Sequence, residues 1–435
     1  MSSTSPQCAD TNGGLHRRLA LAGGGGSHVS TIAAVCDALP IAGSSVEPLV
    51  LDLSLFDTRG RADYSKLPAK LIKPDPSALG FRQIFRTAAP NLVVSGGVRR
   101  FEALIEHFSK ILRHENVGAV LICHAYGIPE QALIQACRRC DIPLAQIDEG
   151  PFSVLVKARG APTPGLPASK SLALKLLKRA GLLPERDWSG TDIDVFFPTS
   201  AKRARAVESA GIPTERIHLV SAPRFDRLAS ACDSWRRAQR ERALARSTPR
   251  VLVLHQPFRR DGKVRPAAAA RAEKALFDAL GQVARQRSIE VAVRMHPRAD
   301  QAERTRYESW LAGIPATHSL TGGGDFYDEL PAFDLFAGFY SSSLLEAAAA
   351  GAPTVGVSIP SKAFYRGGEG AKAAAMGQLG VNMADSADAL RILIERGLES
   401  GNQTPPAALF DEQLGPLNVD GALSVARHLL RLAAG

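Results

Sequence analysis

The stretch from Phe333 to Val357 limits the possible folds more than any other part of the chain. Phe333-Asp334-Leu335-Phe336-Ala337-Gly338-Phe339-Tyr340 reads as a buried strand, Ser341-Ser342-Ser343 adds three hydroxyls, and Leu344 to Ala350 reads as a helix. Gly351-Ala352-Pro353-Thr354-Val355-Gly356-Val357 then leads into a second strand. Two apolar strands joined through a helix are parallel neighbours in a sheet covered on both faces. From Leu335 to Pro360 the only charge is Glu346, but the glycines, prolines and serine triplet mark a strand–helix–strand core, not a membrane span. The end of the first strand delivers serines to the start of a helix, where unpaired N–H groups and a partial positive charge suit a phosphate.

The same alternation runs through the whole chain. Residues 1–16 are small and polar and read as a disordered tail. Strand-like runs follow at Arg18–Ala22, Val46–Leu51, Gly118–Cys123, Pro143–Ile147, Val195–Pro198 and His218–Ser221, with helices such as Val98–His114 and Pro129–Cys140 between them. The rhythm restarts at Val251–Leu254 and continues through Ile289–Arg294, Leu335–Phe339 and Thr354–Val357. The expected class is therefore α/β, with two Rossmann-like domains facing across a cleft. The expected N-terminal domain spans 17–232, 233–249 is a charged linker, and 250–415 is the expected C-terminal domain. The last segment, 416–435, contains an amphipathic helix from Gly421 that could pack back on the first domain.

A length of 435 residues also asks for two cores. The net charge of +10 favours acidic partners: nucleotide donors, anionic polymers, lipid surfaces or nucleic acid. No secretory apolar region stands near Met1, so the expected location is cytoplasmic. A basic insertion at about 156–194 carries Lys170 to Leu183, which reads either as a surface helix resting on the inner membrane face or as a helix packed on the domain with solvated lysines. Cys137 and Cys140 form a lone C-x-x-C late in a helix, away from the N-terminal position that lowers a thiol pKa, and read as reduced and structural.

Several loops carry groups that could do chemistry. Gly23–Gly26 fits neither a dinucleotide fingerprint, since His28 replaces the third glycine, nor a P-loop, since no Lys-Ser or Lys-Thr closes it. It reads as a turn that brings backbone close to a ligand or a helix, with Gly25, Gly26 and His28 as loop candidates. Asp148-Glu149-Gly150 ends a strand at the crevice edge, where a carboxylate can take a proton from a hydroxyl. Arg294-Met295-His296-Pro297-Arg298 ends another strand, and its histidine can donate to a phosphate or protonate a leaving group. Ser343 with Glu346 has the spacing of a capping box, leaving Ser341 and Ser342 for a ligand, while Glu346 could instead reach a ribose hydroxyl. His124, Gln256 and Arg259 stand on further strand ends, as acceptor or diphosphate contacts. Arg236, Arg237, Arg240, Arg242 and Arg246 read as a solvated helix or, on a nucleic-acid reading, as a basic stripe.

Taken in order, the acidic Asp148-Glu149-Gly150, the pair His296-Pro297 and the run Ser341-Ser342-Ser343 resemble the motifs of GT-B glycosyltransferases in the bacterial sialyltransferase, polysialyltransferase and capsule polysaccharide transferase group. Val220-Ser221-Ala222-Pro223-Arg224-Phe225-Asp226 is similar to the G-x-P-R-x-D strand end of many surface-polysaccharide transferases, with Ser221 in place of the usual glycine. The resemblance implies an inverting, metal-independent transfer of a sugar to a glycan or glycolipid hydroxyl without a cofactor, from a CMP-linked nonulosonate such as sialic acid. It implies Asp148 as the general base, with Glu149 as alternate, and His296 assisting departure of CMP. Ser341, Ser342 and Ser343 would hold the phosphate, with Arg294, Pro297, Glu346 and Gln256 around them. The alternatives on the same architecture are a UDP-sugar glycosyltransferase, a CDP-polyol phosphotransferase and a catalytically inactive scaffold.

Overall fold

The computed structural model describes residues 17–56, 62–85, 88–148, 175–184, 192–257, 264, 266–297, 299–322, 324–358, 376–417 and 420–435. Two six-stranded parallel sheets organise them. The first holds β1 (Arg18–Gly23), β2 (Leu49–Asp52), β3 (Lys70–Ile72), β4 (Val117–Ile122), β5 (Leu144–Ile147) and β6 (Val195–Phe197), in the order β3-β2-β1-β4-β5-β6. The second holds β7 (Arg250–Leu254), β8 (Glu290–Arg294), β9 (Thr317–Thr321), β10 (Leu335–Gly338), β11 (Thr354–Val357) and β12 (Asn382–Ala384), in the order β12-β11-β10-β7-β8-β9. Counted from its own first strand, the second sheet repeats the order of the first, so each has one switch point, at β1/β4 and at β7/β10.

The longer helices are α1 (Ser27–Ile41), α2 (Ala88–Val94), α3 (Val98–His114), α4 (Ile128–Arg139), α5 (Ala201–Ser209), α6 (Leu228–Ala245), α7 (Pro266–Gln286), α8 (Gln301–Ala312), α9 (Ser342–Ala350), α10 (Ala387–Ser400) and α11 (Gly421–Ala434). Their apolar stripes cover the sheets, as the alternating pattern requires. Phe101, Leu104, Ile105 and Phe108 of α3 join Leu133 and Ala136 of α4 over one face of the first sheet. Ile32, Val35 and Leu39 of α1 cover the other face together with Val425, Ala426 and Leu429 of α11. The final helix therefore packs back into the core of the N-terminal domain.

The departures from expectation share a cause. The unexpected strands β3, β9 and β12 are all sheet edges, where one side of the strand is open and no continuous apolar run is required. His218–Ser221 is not a strand: Ile217 makes a single parallel bridge to Phe196, and Val220 N donates to Pro198 O at 3.0 Å. Residues 233–245, expected within a linker, continue helix α6, whose buried Trp235 donates its indole N–H to Phe333 O at 2.9 Å. This helix packs on the second core through Leu228, Ala231, Cys232 and Trp235.

Candidate functional site

Strand ends at a switch point are where an open α/β sheet presents groups to a ligand. In the second sheet the relevant ends are adjacent, in the order β10-β7-β8. Residue His255 follows β7, and its buried ring accepts the backbone N–H of His296, just beyond β8, on Nδ1 at 3.3 Å. Burial, reinforced by the nearby His296, Arg306 and Arg304, pushes the His255 pKa down to about 3, so the ring stays a neutral acceptor. The next residue, Gln256, accepts Tyr340 N on Oε1 at 3.1 Å, which ties the end of β7 to the end of β10. These two side chains stitch three strand ends together, with half-buried His296 on one flank and the serine turn on the other.

Ser341 is the N-cap of α9: its Oγ accepts Ser343 N at 3.2 Å. The expected capping box between Ser343 and Glu346 is not formed, because the helix begins at Ser342, two residues earlier than that box requires. Glu346 is instead buried and accepts from Arg224 at 3.0 Å, with hydrogen bonds to Tyr327 and Ser342. Burial raises the Glu346 pKa, and these three partners oppose the rise. Arg294 is also committed elsewhere: its guanidinium bonds Glu329 and Gly324 O and lies 5.9 Å over the Phe326 ring. It therefore does not add its charge to the serine turn, while Pro297 is exposed at the strand end.

The first sheet presents β1 and β4 at its switch point. Gly23 has no room for a side chain, since a Cβ would lie 2.7 Å from Ile32 Cδ1 and 2.8 Å from the Tyr64 hydroxyl. The helix is thus what the first glycine accommodates, whereas Gly25 and Gly26 are exposed on the rim. The loop is clamped: Tyr64 donates to Gly24 O at 2.5 Å, and Gly24 N donates to Nδ1 of buried His28 at 2.7 Å. The His28 ring meets His124 edge-on at 5.0 Å, and His124 stacks on Tyr126 at 4.0 Å. Nε2 of His124 is 3.4 Å from Glu130 Oε1.

The remaining expected group, Asp148, is buried, and both of its oxygens accept from Arg203 at 3.0 Å. The paired contacts of the guanidinium with both oxygens fix the orientation of the carboxylate. Glu149, Gly150, Arg259, Arg298 and residues 170–174 of the basic insertion lie outside the described residues.

The domains are joined at the segment that resembles a polysaccharide-transferase strand end. Arg224 reaches Glu346 of the second domain, and Asp226 accepts Gly421 N at 2.9 Å and Ala422 N at 2.8 Å from α11. Sequence reasoning singled out this segment without its partners, and it missed Arg203 altogether, since Lys202-Arg203-Ala204-Arg205 looks like any solvated helix face. Cys137 and Cys140 are free, and burial raises the Cys137 pKa further, consistent with an inert structural thiol.

No protein-family model matches the sequence, and no curated protein matches it. Solved structures do match in fold. UDP-GlcNAc 2-epimerase from Methanocaldococcus jannaschii shares 11% identity at a TM-score of 0.56, over 95% of this chain and 99% of that one. UDP-GlcNAc 2-epimerase from Neisseria meningitidis bound to UDP-GlcNAc shares 12% at 0.54, over 96% and 99%. MurG from Acinetobacter baumannii shares 14% at 0.51, over 96% and 99%. The described residues have the GT-B architecture, and the matches extend over about 95% of the chain.

Proposed function

We propose that this chain is a GT-B enzyme acting on a nucleotide sugar, with the donor on the second domain and the second reactant on the first. The observation that carries the reading is the stitched trio of strand ends, where His296 and the Ser341-capped start of α9 flank His255 and Gln256. Breaking a glycosyl–phosphate bond leaves negative charge on the nucleotide, and a helix N-terminus on one flank with an imidazole on the other opposes that charge. Each such group is worth about 3 kcal/mol of barrier in comparable sites. A UDP-linked sugar is the first donor to test, because structures of the same fold are UDP-GlcNAc 2-epimerases. The acidic, His-Pro and serine motifs in their order support a second reading, sugar transfer from a CMP-linked nonulosonate onto a glycan.

Thermal unfolding with UDP, CDP and CMP distinguishes these donors. A ligand at 100 times its dissociation constant stabilises the folded state by about 2.7 kcal/mol, so the cognate nucleotide is expected to give an upward shift of several degrees. His296→Ala should reduce that shift. An unchanged melting temperature with all three nucleotides would remove the proposal and leave the inactive-scaffold alternative.

A further inference from the structure

A sugar-transfer cleft needs a group that accepts the proton of the attacking hydroxyl, and Asp148 is poorly placed for it. Its side chain is 2% exposed and held on both oxygens by Arg203. His124 follows the neighbouring strand: Ile122 pairs with Gln146, and His124 and Asp148 each lie two positions further on, just past the ends of β4 and β5. The His124 side chain keeps 16% exposure.

Its surroundings are built to hold one ring orientation. Glu130, buried on the first turn of α4, faces Nε2. Gly127 makes room for that carboxylate, because a Cβ there would come within 1.7 Å of Glu130 Oε2. Gln131 donates to Ala125 O and pins the loop between them. Tyr126 covers one face of the ring, and His28 stands against its edge, with Nδ1 of His28 already used by Gly24. Nδ1 of His124, by contrast, is screened from solvent and has no hydrogen-bond partner among the described residues. A buried acceptor in that state is unfavourable, and a hydroxyl that reaches it as neighbouring side chains shift would relieve it.

We propose that His124 is the general base of this cleft and that Glu130 is its positioning residue, an inference that rests on the nucleotide-sugar reading above. The carboxylate holds the Nε2–H tautomer and leaves the Nδ1 lone pair for the substrate. In the step itself, Nδ1 takes the proton of the attacking hydroxyl while that oxygen bonds to the anomeric carbon. The bond from that carbon to the phosphate oxygen breaks, and its electron pair leaves with the nucleotide. Glu130 then faces an imidazolium and stabilises it.

The test uses the full chain with UDP-GlcNAc as donor and water as the accepting hydroxyl, read as UDP release, alongside ring-nitrogen NMR of the histidines. His124→Gln is expected to lower kcat by about 100-fold or more. It should leave KM and the thermal shift given by UDP within about twofold, since the ring acts on the second reactant. Glu130→Gln should cause a smaller loss and mix the His124 tautomers, while Glu130→Asp should restore part of both. Wild-type turnover in His124→Gln, or a His124 ring proton resident on Nδ1, would overturn the assignment. Failure of the wild-type chain to bind any nucleotide would instead sink the nucleotide-sugar reading, and the tautomer would still decide whether the dyad exists.

Discussion

At the scale of single residues, the side chains with chemistry in them were readable, but their engagements were not. Asp148 and His296 were identifiable because a polar residue directly after an apolar run ends a strand at the open edge of the sheet. Nothing in the sequence says that Arg203, 55 positions away, will occupy both oxygens of Asp148. The same is true of His255, whose ring is an internal acceptor for the backbone of a residue 41 positions away. Its pKa is depressed from 6.5 to about 3, so the folded state favours the neutral ring. The resulting stability is fully present above pH 6.5 and is lost as the pH falls toward 3. Urea midpoints measured from pH 8 down to 4 should therefore decline below about pH 6.5, and His255→Gln should flatten that decline.

At the scale of elements, periodicity located the helices and central strands well, because those must bury a face. α3 spans Val98–His114 and α11 spans Gly421–Ala434, the bounds their sequence patterns suggest. Capping was less legible. Three successive serines offer three candidate caps, and the choice of Ser341 sets which serines lie inside the helix. The face of α11 also depends on tertiary contact: Leu429 is fully buried against the first domain, while the helix itself follows the second domain in sequence. Truncating it, Leu429→Ala, should cost about 2–5 kcal/mol. The expected readout is faster hydrogen exchange in β1 and α1 of the first domain, with the second sheet little changed. Equal loosening of both sheets would mean that α11 supports the whole chain and not the domain it covers.

At the scale of the whole molecule, one short segment makes buried polar contacts to both the second domain and the returning helix. Arg224 crosses to Glu346 on α9, and two residues later Asp226 holds the start of α11. Removing one partner of such a buried pair leaves a charge without compensation, so Arg224→Ala should destabilise by about 3–5 kcal/mol in urea titration, with part of the loss recovered in Arg224→Ala/Glu346→Gln. No recovery in the double variant would show that Arg224 acts through packing on Phe225, whose ring lies 4.4 Å below the guanidinium, rather than through its charge. The β–α alternation, its restart at Val251 and the positions of the strand ends are properties of local pattern, since apolar periodicity fixes which stretches must be covered, and the parallel βαβ rule then orders them. Which carboxylate meets which guanidinium, and which histidine keeps an unfilled nitrogen, depends on residues dozens to more than a hundred positions apart, as with Asp148 and Arg203 or Arg224 and Glu346. Those partnerships carry no periodic signal along the chain and exist only once the two sheets and the returning helix have packed.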